Sequence, residues 1–379
     1  MSLFLLSFFL IYGSLHAYVF FKAKEAMAFG NAMAAMMVVF FVIMVISPVL
    51  VRVTELHGMH PTASVIAHIS YTWMGFLFLF FSASIAVKLY NLLLIVAGKL
   101  FDRGFSDFAL QAVPGFYLPL LIAAVISMYG FFEARHIKAE RITITSPKMP
   151  VAVKKLVVVQ ISDLHLGVMV GKDRLTKVLE LVKAEDPDMV VSTGDLLDSQ
   201  LDGLGVMVPL LQELKPPLGK FAVTGNHEVY AGLQQALSFM EKADFKILRH
   251  ETAAVAGLLD LVGVDDPASL RDSRKKAPAE TDLLAGLSRN RFTLLLKHRP
   301  VIEPASLGLF DLQLSGHVHK GQIFPFNLLT HLFYPVKMGL SRHPNNSSLY
   351  VSRGTGTWGP PIRFLAPPEI TVITIIPAR

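Results

Sequence analysis

The 379-residue chain has no cysteine, two tryptophans and few charges, with Asp, Glu, Lys and Arg making up 17% of it. Without cysteine there is no disulfide and no thiolate metal site, although this absence does not select a compartment. The 13 histidines, with Asp and Asn, are then the available metal-binding chemistry. The formal net charge is +6, but no block of Lys or Arg exceeds a few residues. That does not indicate a nucleic-acid footprint, and a mildly basic protein near anionic headgroups is the simpler reading. There is no internal repeat and no low-complexity tract.

The scarce charges are also uneven. The first 145 residues carry 15 of them and the remaining 234 carry 49, in a chain that is 53% hydrophobic. An ordinary soluble domain is about 25% charged, so an oily front is joined to a back half of normal polarity. Crossing about 30 Å of hydrocarbon takes roughly 20 apolar helical residues. Four stretches qualify: Leu3–Phe21, Ala32–Val51, Tyr71–Gly98 and Val113–Phe132. The first has no basic flank before it and is followed by three more, so it reads as a retained helix and not a cleaved signal. Lys88 interrupts the third; either it snorkels, or the helix stops there and Leu89–Gly98 lies in the interface.

The chain thus divides into a membrane domain over 1–132, a connector over 133–150 and a globular domain over 151–379. Four Lys or Arg lie near the span ends on each side, so the positive-inside count does not set orientation. The basic residues after the fourth span (Arg135, Lys138, Arg141, Lys148) lean towards a cytoplasmic globular domain, on a multi-pass protein of the inner or plasma membrane.

In the back half, short β-branched runs alternate with helical spacing. Lys155–Ile161, Met189–Ser192, Lys220–Val223, Leu258–Val264, Phe292–Leu296, Leu309–Leu314, Ser348–Ser352 and Ile370–Ile376 read as strands. Arg174–Ala184 and Gln234–Lys242 read as helices. Strands and helices alternate early and strands dominate late, which predicts an α/β sandwich of two mixed sheets flanked by helices.

Metal-binding side chains fall at the ends of these strands, each in a short turn. They are Asp163-Leu-His165, Gly194-Asp195, Gly225-Asn226-His227-Glu228, His298 and Gly316-His317-Val318-His319. Any one alone is an ordinary turn. Five in this order at strand ends are not a coincidence.

The order D-x-H, G-D, G-N-H-[DE], H, G-H-x-H resembles the calcineurin-like metallophosphoesterase superfamily over about residues 154–376. Gly263-Val264-Asp265-Asp266 and the C-terminal Ser352–Gly356, Pro360–Arg363 and Pro367–Ile370 resemble its bacterial membrane-associated branch. Some members of that branch are UDP-2,3-diacylglucosamine pyrophosphatases. The resemblance implies two divalent ions (Mn, with Fe or Zn as alternatives) bridged by Asp195. It assigns Asp163, His165 and His319 to one ion, and Asn226, His298 and His317 to the other. His227 would face the phosphate as electrostatic stabiliser or proton donor. Two adjacent cations lower the pKa of a shared water and clamp phosphoryl oxygens, and only a carboxylate among these residues can bridge them. Lys320 departs from the branch pattern and is expected to contact phosphate; Asp198, Glu228 and Asp265 are not expected to be ligands. His250, His331 and His343 read as surface or core residues.

Ile323–Leu340 directly follows the last motif and is unusually apolar for this half of the chain. It reads either as a loop covering the sandwich or as a segment that dips into the bilayer and admits a lipid substrate. The expected activity is hydrolysis of a phosphodiester or pyrophosphate, in a lipid-linked substrate. The alternatives are the same chemistry on a soluble phosphodiester, cyclic nucleotide or phosphoprotein, and a non-catalytic metal-binding membrane receptor.

Overall fold

A computed structural model describes residues 3–198, 203–270 and 277–378. The chain divides into two compact units, Met1–Phe132 with Pro360–Ile362, and Glu133–Gly359 with Arg363–Arg379.

The first unit contains α1 (Leu3–Met27), α2 (Asn31–Leu56), α3 (His60–Phe101) and α4 (Ala112–Glu133). All four are long and apolar enough to cross a membrane. Most of their large side chains face outward, as lipid-solvated helices require. Lys88 does not end the third helix. At 42 residues, α3 runs about 63 Å at 1.5 Å per residue, well beyond one hydrocarbon thickness. The Lys88 ammonium lies 5.0 Å from the centre of the Tyr18 ring, a cation–π contact that offsets part of its desolvation. Trp73 Nε1 donates to His16 Nε2 at 2.9 Å, so α1 and α3 share a satisfied polar contact.

The second unit is a sandwich. Its strands are β1 (Lys138–Ser146), β2 (Leu156–Ile161), β3 (Met189–Thr193), β4 (Lys220–Val223), β5 (Phe245–Ile247), β6 (Glu251–Val255), β7 (Leu259–Val264), β8 (Phe292–Lys297), β9 (Leu312–Ser315), β10 (Gly339–Arg342), β11 (Ser348–Val351) and β12 (Glu369–Pro377). One sheet has the order β1-β12-β2-β3-β4-β5 and the other β10-β11-β9-β8-β7-β6. The longer helices are α5 (Lys172–Ala184) and α7 (Asn226–Lys242), with shorter α6 (Val208–Gln212), α8 (Pro267–Leu270), α9 (Glu280–Ala285) and α10 (Phe326–Phe333).

The period-2 alternation of a strand sorts its side chains between two cores. Leu156 and Val158 of β2 join Val191, Val223, Leu261, Leu294 and Leu314 between the sheets. Val157, Val159 and Ile161 face Leu175, Val178 and Val182 of α5 and Phe239 of α7 on the outside. Both faces are covered, which is why these strands read as continuous apolar runs. Each fully buried Val or Leu contributes about 1.5–3 kcal/mol.

Two segments differ from the expectation. The stretch 133–150, read as a connector, contains β1, which pairs in parallel with β12 from Lys138↔Glu369 to Ser146↔Pro377. Its β-branched run (Ile142, Thr143, Ile144, Thr145) had no local partner to reveal it. The apolar segment 323–340 covers the sandwich only in part: Ile323 is buried and Tyr334 and Val336 pack against Val318, Leu349 and Val351, whereas the residues of α10 are all exposed or half-exposed.

Candidate metal centre

β2, β3 and β4 run parallel in one sheet, and β7, β8 and β9 in the other. Parallel strands deliver their carboxyl ends to one edge, where the following turns form a crevice. The turns interlock through backbone bonds: Asp163 N–H donates to Gly194 C=O at 3.1 Å and Gly316 N–H to His298 C=O at 2.9 Å. Glycine is required where they touch. A Cβ on Gly316 would collide with the Asp163 carboxylate, and one on Gly225 with that of Asp195.

Among the described residues, three groups place potential ligand atoms within 4.8 Å of one another. They are Asp163–His165–His319, His165–Asp195–His227 and Asp195–His298–His317. His165 Nε2 and His319 Nε2 stand 3.1 Å apart, as do His317 Nδ1 and His298 Nε2. Asp195 Oδ2 lies 3.1 Å from His298 Nε2. Asn226 is buried with its Oδ1 lacking a hydrogen-bond partner, a costly arrangement unless a cation takes the lone pair. Asp163, His165, Asp195, His317 and His319 all have φ between 47° and 73°. Left-handed backbone at non-glycine residues costs of order 1–3 kcal/mol each and collects at functional sites.

Charge balance supports the same reading. Burial opposes ionisation of Asp195, but the His298 and His227 rings hold its carboxyl far below the usual range. Burial and the neighbouring His298 push His317 down to about 3, leaving a neutral ring with a free lone pair. The buried donors are mixed oxygen and nitrogen, a set that fits divalent transition metals.

His227 sits against this cluster. Its backbone N–H donates to Asp195 Oδ1 at 2.8 Å, and its Nδ1 lies 2.8 Å from Asp198 Oδ1. Burial lowers its basicity, but Asp195 and Asp198 more than compensate and raise its pKa to about 9. Asp198 also lies 3.3 Å from His165 Nδ1, so one carboxylate faces two rings. Its spacing from Asp195 in the sequence did not disclose that role. Glu228 is structural: its buried carboxylate accepts the N–H groups of Gly225, Asp195 and Leu197 at 2.7, 3.0 and 3.1 Å. Asp265 accepts from Thr224 Oγ1 and pairs with Arg249. Lys320 is half-buried, and the charges acting on it are Arg353, Glu133, Glu369 and Lys337.

Arg363 closes the C-terminal Pro360–Arg363 motif, but sequence reasoning assigned it no role. It is fully buried and donates to the carbonyls of Gly356, Arg353 and Ala366, while Nη2 lies 3.0 Å from His319 Nδ1. The same loop grips the D-x-H turn: Thr355 N–H donates to Ser162 C=O and Gly356 N–H to Asp163 C=O. A guanidinium only donates, so Arg363 acts by holding this loop against the D-x-H turn, and Arg363→Met is expected to loosen that turn and weaken Mn²⁺ binding by about 10-fold. Arg363→Lys should recover part of it. Titration followed by the EPR signal of free Mn²⁺ measures this, and unchanged affinity in Arg363→Met would exclude the role.

Residues 156–321 match the family model for calcineurin-like phosphoesterases. An uncharacterized metallophosphoesterase of Aquifex aeolicus is 36% identical over 257 residues, covering 68% of this chain and 98% of that protein. The chain belongs to the calcineurin-like metallophosphoesterase family. Further metallophosphoesterase relatives include an uncharacterized one of Helicobacter pylori, 36% identical over 265 residues, with 69% of this chain and 70% of that one covered. A Danio rerio protein named transmembrane protein with metallophosphoesterase domain is 33% identical over 294 residues, covering 73% of this chain and 67% of its own. This metallophosphoesterase is therefore a phosphoester hydrolase of a family that uses divalent metals, in a membrane protein with four candidate spanning helices.

Proposed function

We propose that this metallophosphoesterase hydrolyses a phosphodiester or pyrophosphate bond in a lipid-linked substrate, using two divalent ions. The observation that supports the reaction class is the run of three overlapping groups of potential ligand atoms, two of which share Asp195 and one of which includes His227. Asp163, His165 and His319 would hold one ion, Asn226, His298 and His317 the other, and the Asp195 carboxylate both. When bound, such ions activate water and neutralise charge on the phosphoryl oxygens. His227, carrying its proton at neutral pH, would donate it to the leaving oxygen, with Asp198 beside the ring. Lys320 offers a cation at the rim for a further phosphate. Mn²⁺ suits the donor set, with Fe or Zn²⁺ as alternatives.

The lipid-linked substrate is supported by the spanning helices and by the apolar α10. Its following residue, Tyr334, places its ring 5.2 Å from that of His317. A UDP-linked acylated sugar is the model substrate, and a cytoplasmic catalytic domain is the orientation we favour. The test is hydrolysis by full-length protein in bilayers with Mn²⁺, using a long-chain lipid diphosphate, its short-chain analogue and a cyclic nucleotide. The long-chain substrate should be preferred. Replacing Phe324, Phe326 and Phe333 with Ser should remove that preference while sparing the short-chain analogue; equal rates on all three substrates in the unaltered protein would refute the lipid reading.

A further inference from the structure

We infer that α10 is an interfacial anchor that seats the rim of the metal centre on an anionic bilayer surface. This rests on the lipid-linked reading for its purpose, but its evidence is separate. Leu328, Leu329, Leu332 and Phe333 are 50–74% exposed, on a unit whose other apolar runs are buried. An apolar helix face left in water needs an occupant.

Three observations point to the bilayer. The helix is short and rigidly rooted, since Gly321 packs against the backbone of Asn327 at one end and Tyr334 against His317 at the other. Its approach is bonded, within the same unit, to the residue that follows the fourth apolar span in the sequence. Glu133, the last residue of α4, accepts the Leu365 N–H at 3.1 Å; the adjacent Phe364 donates to Gln322 C=O and accepts from Phe324 N–H. Third, the sequence holds no Asp or Glu between Asp311 and Glu369, while Lys320, Lys337 and Arg342 bracket the helix. Glu133 and Glu369 from outside this stretch face Lys320, but along the stretch itself apolar side chains are flanked by cations and no carboxylate, the pattern of an element lying in an anionic interface.

The absence of cysteine makes the test direct. A nitroxide on Leu332→Cys, in full-length protein in phosphatidylglycerol-containing vesicles, should be reached by oxygen severalfold more readily than by a water-soluble nickel chelate. The same label on Glu180→Cys, on the exposed face of α5, should show the reverse. Combining Leu332→Cys with Lys337→Glu and Arg342→Glu should shift the first label towards the aqueous pattern. Retained hydrolysis of a soluble aryl phosphodiester shows that each variant is folded. Nickel accessibility at 332 equal to that at 180 would overturn the proposal. So would spin–spin broadening that disappears on dilution with unlabelled protein, which would make the occupant a second copy. Docking is read without substrate. A docked helix with no preference for long-chain substrate would therefore refute the substrate and leave the anchor standing.

Discussion

Asp195→Asn is expected to abolish hydrolysis, lowering kcat by about 10³-fold or more, which corresponds to at least about 4 kcal/mol of transition-state stabilisation. The reason is its share in the cluster: Oδ2 faces His298, Oδ1 takes the His227 N–H, and two of the three groups of potential ligand atoms among the described residues include it. An amide keeps the shape but offers one oxygen in place of two and removes the charge that two cations would share. Bound Mn²⁺, counted by equilibrium dialysis, should fall from two per chain to one or none. Unchanged activity with two ions bound would mean that the assigned centre is wrong.

His227→Ala should separate chemistry from metal binding. A positioned general acid contributes roughly 10²–10⁴-fold, so kcat should fall by about that much while two Mn²⁺ stay bound. The pH dependence gives a sharper signature. The His227 pKa is raised to about 9, so the ring carries its proton at neutral pH and loses it as pH rises through that value. The kcat of the unaltered protein should therefore fall on the alkaline side, and that limb should be missing in His227→Ala. Asp198 is among the groups that raise the pKa, so Asp198→Asn should move the limb to lower pH. A limb that persists unchanged in His227→Ala would assign the proton to another group.

Much of the architecture was legible because it is encoded locally. β2, β3, β4, β7 and β8 are buried on both faces, so each announces itself as a short β-branched or leucine-rich run. The expected helix Gln234–Lys242 is the regular part of α7; the chain before it breaks at Gly232, with φ 102°. β1 was hidden because its partner, β12, lies more than 200 residues away and its exposed face keeps it polar. Asp198 and Arg363 were hidden for a related reason. One acts through a short contact to His227 and the other across 44 residues to His319, and no spacing rule connects such pairs.

The sequence by itself determined that an apolar helical region precedes an α/β sandwich, and which residue types end each strand. Periodicity and turn chemistry act over a few residues, so they can be read without the fold. Only the tertiary structure decided that the two sheets deliver those turns to one edge, where Asp195 belongs to two of three groups of potential ligand atoms among the described residues. It also decided that α10 faces outward. Composition reports how apolar a segment is; whether that surface is buried or exposed depends on what the rest of the chain leaves beside it.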